Sequence, residues 1–80
     1  MTRPQQVTEL AKTIYDYRKS DPNLLSAIEQ LGFQFESEHP TSGVWWVQNQ
    51  DIQVMINFGG PRQAARAWSW RFIGGATERI

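Results

Sequence analysis

Residues 44 to 73 alternate apolar and polar side chains, and all four tryptophans of the chain, Trp45, Trp46, Trp68 and Trp70, lie among them. A period of two sends successive side chains to opposite faces of a strand, so this half reads as antiparallel sheet with one face to bury. Residues 44 to 48 and 51 to 58 are separated by Asn49 and Gln50, which predicts a hairpin. With those two residues as the loop, Gln48 faces Asp51, Val47 faces Ile52 and Trp45 faces Val54. Trp45, Val47, Ile52, Val54, Ile56 and Phe58 then share the buried face, and Val44, Trp46, Gln48, Gln53, Met55 and Asn57 the other. A one-residue slip would bury three amide side chains, which favours this register.

The first half has the period of a helix. Pro4 suits a first helical turn, and Val7, Leu10, Ala11, Ile14 and Tyr17 or Arg18 recur at 3.6-residue spacing, predicting a helix over about residues 4 to 18. Asp21 and Pro22 suit the start of a second helix with Leu24, Leu25, Ile28 and Leu31 as its stripe, and Gly32 suits the left-handed position that ends it. From Phe33 the period becomes two: Phe33 and Phe35 alternate with Gln34, Glu36 and Glu38 in a short half-buried strand, which His39-Pro40-Thr41-Ser42-Gly43 breaks.

Residues 61 to 73 admit two readings. Trp68, Trp70 and Phe72 alternate with Ala67, Ser69, Arg71 and Ile73 as in a fourth strand, whereas Ala64, Ala65, Trp68 and Phe72 also make a helical stripe after Gly60-Pro61. The aromatic and β-branched content favours the strand. The fold class is therefore α+β: an N-terminal helical hairpin packed on one face of a three- to four-stranded antiparallel meander, in the order ααββββ. Residues 1 to 75 form one small domain, and Gly74-Gly75 releases residues 76 to 80 as a mobile tail.

A chain of 80 residues buries only about 60% of its unfolded surface, so its stability rests on few large side chains and dimerisation would add to it. The absence of cysteine removes disulfides, thiolate nucleophiles and cysteine metal sites. No apolar run approaches a membrane span, and the first six residues lack the apolar core of a signal peptide, which places the chain in the cytoplasm and away from membranes. Net charge is zero, but residues 44 to 80 hold two acids against four arginines, Arg62, Arg66, Arg71 and Arg79, for an excess of 4 − 2 = 2. That is a weak electrostatic case for nucleic acid.

No catalytic, cofactor or metal set emerges. His39 beside Glu36 and Glu38 lacks the ligand spacing of a metal site, and reads as an exposed loop histidine. Glu36 and Glu38 stand two apart, hence on one strand face, but nothing supplies the apolar pocket that would separate their pKa values. Gly59-Gly60-Pro61-Arg62 departs from both phosphate-loop patterns and reads as a turn.

Trp45, Trp68 and Trp70 join Phe33, Phe35, Phe58 and Phe72 as core, leaving Trp46 alone on the polar face with Glu36, Met55, Ser69 and Arg71. Tryptophan with Met and Arg on a polar sheet is the composition of a binding hot spot. This pattern predicts a small non-catalytic binding or regulatory protein, such as a bacterial or phage accessory protein or inhibitor. It would meet another protein through Trp46, Met55 and Arg71, with Arg62 and Arg66 at the rim, and could form a face-to-face homodimer through the same patch. The alternative is a single-stranded nucleic acid binder that stacks a base on Trp46 and tracks the backbone with arginines. An enzyme comes third, because the chain is too short to enclose a sizeable pocket.

Overall fold

Thr2 opens the first helix. Its hydroxyl accepts from the Gln5 N–H at 3.2 Å while Gln5 Oε1 accepts from the Thr2 N–H at 2.8 Å, a reciprocal pair that satisfies amides a helix start leaves unpaired. In the computed structural model, which describes residues 1–41 and 43–80, this helix, α1, spans Arg3–Ile14 and buries Val7, Leu10 and Ile14. Helix α2, Leu24–Gln30, buries Leu24 and Ile28, and Gly32 adopts the expected left-handed conformation just after it, at φ 85°. The helix starts two residues later than expected: the Asp21 carboxylate accepts from the Asn23 N–H at 2.8 Å, and Asn23 takes the N-cap position.

Five strands come next: β1 Gln34–His39, β2 Val44–Asn49, β3 Ile52–Gly59, β4 Ala64–Phe72 and β5 Glu78–Arg79. They form one antiparallel sheet whose spatial order is the chain order. Both helices lie against the same side, where Val7, Leu10, Ile14, Leu24 and Ile28 join Phe33, Trp45, Val47, Ile52, Val54, Ile56, Phe58 and Ala65 in a single buried cluster. The fold is α+β.

The hairpin register slides by two residues from expectation. Gln50 and Asp51 make the turn, with Gln50 in the left-handed region at φ 54°, so Asn49 pairs with Ile52, Val47 with Val54 and Trp45 with Ile56. An even slip preserves every face, and the six side chains expected inside are inside.

An odd insertion does not. Within residues 61 to 73 the ordered element is strand rather than helix, β4 over Ala64–Phe72, but it carries a bulge: Ile56 faces Ala67 and Met55 faces Ser69, leaving Trp68 unpaired between them. Ala65 and Ala67 therefore line the inner face before the bulge, and Trp70 and Phe72 after it. Trp68, expected in the core, is 44% exposed. Trp70 packs partly against the core, while Phe35 and Phe72, also expected there, lie at the margins of the helix-covered face and are largely exposed.

A second bulge, between Phe35 and Ser37, separates the two acids of β1. Glu38 pairs with Trp45 on the inner face, whereas Glu36 meets Gln53 on the outer one, so the expected shared face is lost. The break after β1 includes Ser42, which lies outside the described residues; Gly43 donates to the His39 carbonyl at 3.1 Å.

The remaining departures have one cause, the free edge of β4. Residues 16–19 leave the helical path because that edge offers partners: Asp16 N–H donates to Ala65 O, Ala65 N–H to Tyr17 O at 2.7 Å, and Lys19 N–H to Gln63 O. Helix α1 accordingly stops at Ile14, well short of residue 18. The far half of the same edge takes the segment expected to be a mobile tail. Gly74, at φ 81°, turns the chain back, Glu78 pairs with Trp70 and Arg79 with Ser69, and Ile80 N–H donates to Trp68 O at 3.1 Å.

The two classes of tryptophan should separate in denaturant melts. Trp45, 8% exposed and packed edge-on between Phe35 and Phe58, should cost about 3–5 kcal/mol as Trp45→Ala. Trp68→Ala should cost about 1 kcal/mol or less, the scale of an exposed cation–π contact. Equal losses at the two sites would contradict the bulge assignment.

Candidate functional site: the open sheet face

The face of the sheet opposite the helices is set by the rows of paired residues. One row runs Ser37, Trp46, Met55, Ser69 and Arg79 from β1 to β5; its neighbour runs Gln34, Gln48, Gln53 and Arg71. Side chains directly opposite on adjacent strands share a face, so Trp46, Met55 and Arg71 stand together as expected.

Arg71 leans across β3 until its guanidinium carbon sits 4.5 Å from the centre of the Trp46 ring. Gln53 holds it there. Arg71 Nε donates to Gln53 Oε1 at 3.0 Å, and the Gln53 amide donates in turn toward Glu36 and Gln48, each at 3.4 Å. The carboxylate of Glu36 thus acts on Arg71 through an intervening amide rather than as an ion pair. Trp46 and Met55 are half-buried, and Ser69 between the large side chains is 2% exposed although it belongs to the open face.

A second stack, which sequence reasoning missed, lies at the other end of the row. Arg79 places its guanidinium carbon 4.2 Å from the centre of the Trp68 ring. Simple alternation assigns Trp68 to the core and Arg79 to the tail. The bulge frees the indole and the fifth strand brings the arginine to it.

Arg66 faces Asn57 on the open face, in a row beyond Met55, but its guanidinium turns to the sheet edge. Arg66 is engaged at the β4 edge, with Nη1 2.8 Å from the Asp16 carboxylate and its guanidinium over the Tyr15 ring at 4.1 Å. Arg62 stands exposed in the turn after β3. Among the described residues, neither Arg71 nor Arg79 forms an ion pair.

On the inner side, Lys19 forms an ion pair with Glu38. The ammonium's hydrogen bond holds the Glu38 carboxyl below the usual glutamate range; loss of hydration opposes this, and the Coulombic attraction of Lys19 adds to it. The indole N–H of Trp45 also favours the charged carboxylate, weakly, because it is buried without a hydrogen bond of ordinary geometry.

Among the described residues no group of three His, Asp or Glu side chains could hold a metal ion, and His39 is exposed with Nδ1 3.1 Å from the Thr41 hydroxyl. An open groove of about 600 Å³ follows α1 past Met1, Pro4, Thr8 and Lys12, remote from the arginine stacks. Among the described residues no helix is long and apolar enough to cross a membrane. No family model, curated protein or solved structure matches this chain.

A depressed Glu38 pKa means that the folded state binds this proton less readily than the unfolded chain. The contribution is therefore present at neutral pH and lost as pH falls from the ordinary glutamate range through the lowered pKa of the folded state. Urea melts of the parent and Glu38→Gln should show the parent more stable at pH 7, with the gap closing in acid. A gap that widens in acid would contradict the sign.

Proposed function

We propose that this chain is a small non-catalytic binding or regulatory protein that meets another protein through its open sheet face. A bacterial or phage accessory protein or inhibitor is the class it suits. The observation that carries the proposal is the Arg71 guanidinium stacked on Trp46 beside half-buried Met55, on the side of the sheet away from both helices. Aromatic and arginine side chains dominate interface hot spots because they bury large areas at low conformational cost, and an arginine already held over an indole loses less freedom when a partner arrives. Apolar anchor, oriented cation and flanking amides supply what a protein surface needs to be recognised.

The stack also weighs against the nucleic acid reading. A base would have to displace Arg71 from the ring or stack on the guanidinium instead, and Glu36 stands on the same face. A second copy of the chain, with Trp46 and Met55 meeting their symmetry mates, is a competing occupant of the patch.

Affinity capture from the native host's lysate, with the parent and with Trp46→Ala, tests site and partner together. Retention by the parent and at least about tenfold less by the folded variant is expected, since a hot-spot truncation costs about 2 kcal/mol or more. Light scattering on a size-exclusion column, repeated with Trp46→Glu, separates self-association: a dimer abolished by the substitution would assign the patch to a second copy. Capture that is indifferent to Trp46→Ala would remove the face from consideration.

A further inference from the structure

We infer that the partner's contact segment is acidic: two carboxylates flanking an apolar side chain, read by the paired stacks of Arg71 on Trp46 and Arg79 on Trp68. This rests on the open sheet face being the binding surface, and adds the chemistry of what it binds.

The cations are distinguished by their neighbours. Charges on a small neutral protein are commonly matched by opposite charges, and here Arg3 meets Asp51, Lys19 meets Glu38 and Arg66 meets Asp16. Arg71 and Arg79 are instead backed by indoles, and both stand on the open face. An aromatic ring attracts a guanidinium from one side and leaves its in-plane N–H groups directed outward. For Arg71 the Nε–H is spent on Gln53, and the terminal nitrogens make no hydrogen bond or ion pair among the described residues. Two N–H groups presented together match the two oxygens of a carboxylate. Glu36 is the one acid the structure ties to this chemistry, and its link runs through the Gln53 amide.

Spacing gives the rest. One stack rests on β2 and the other on β4 and β5, so the two guanidiniums stand on the order of 10 to 15 Å apart at ordinary strand separation. Met55 lies between them in the same row. An extended segment with the pattern Glu-x-Leu-x-Glu puts its three named side chains on one face, with the outer two roughly 13 Å apart, and so sets an acid over each arginine and the leucine over Met55.

The test uses a short labelled peptide carrying Glu-Thr-Leu-Thr-Glu, its Gln-for-Glu counterpart and a thymidine oligonucleotide, each titrated into the isotope-labelled full chain. The expected result is that the Glu peptide moves the indole N–H signals of Trp46 and Trp68 and the Nε–H signals of Arg71 and Arg79. The Gln peptide should bind at least about tenfold more weakly, because both of its carboxylate contacts are replaced by neutral ones. Arg71→Ala and Arg79→Ala should each weaken the Glu peptide similarly, and Arg71→Lys should recover little, because a lysine lacks the planar fork. Amide spectra of each variant establish that it is folded. Equal binding of the two peptides at Trp46 would overturn the acidic preference and leave the surface standing. Shifts confined to the groove along α1 would overturn both. No shift at millimolar Glu peptide overturns the inference, with the lysate capture then judging the surface alone. Tighter binding of the oligonucleotide at physiological salt would reassign the stacks to phosphate.

Discussion

One face of the β2–β3 hairpin carries the molecule. Trp45, Val47, Ile52, Val54, Ile56 and Phe58 project to the same side, and two short helices supply the apolar stripes that cover them. Among the described residues the helical layer and the sheet make two layers, and no element packs over the other side of the sheet. Strand alternation then decides which side chains stand on it: every residue that packs inward fixes its two chain neighbours outward.

The outward residues are not a neutral coat. Gln34, Gln48 and Gln53 line the row beside Trp46, and they form a strip in which Glu36 polarises Gln53 and Gln53 orients Arg71. An exposed arginine ordinarily samples many rotamers, and the entropy lost on fixing it opposes binding. Here the indole below and the amide beside it have already restricted the guanidinium. The Trp68 and Arg79 pair achieves a similar arrangement by different means, a strand bulge and a returning chain.

Much of this was legible in the residues. The inner face comes from a period of two sustained through β2 and β3, and it survived an error in the turn because a slip of two residues leaves parity intact. Trp46, Met55 and Arg71 were legible for the same reason. Single-residue insertions were not: a bulge at Glu36 or Trp68 changes no composition, yet it inverts the face of every later residue in its strand. The partners of Arg66, Tyr15 and Asp16, were not legible because they lie far away in sequence and reach it only through the edge of β4. That edge also ends α1 early and recruits Glu78 and Arg79, segments whose own propensities said little.

The meander order has a kinetic meaning. Each of the first four strands pairs with the strand next to it in the chain, so the sheet can be assembled by closing short loops one after another, each at small entropic cost. The exceptions are α1 and residues 16–19, which meet β4 only across the whole span of α2, β1, β2 and β3. Long-range closure of that kind is rewarded once the intervening chain is already compact. The hairpins therefore prepare the surface on which the N-terminal segment docks, and the closure that joins residues 16–19 to β4 is the one that spans most of the chain.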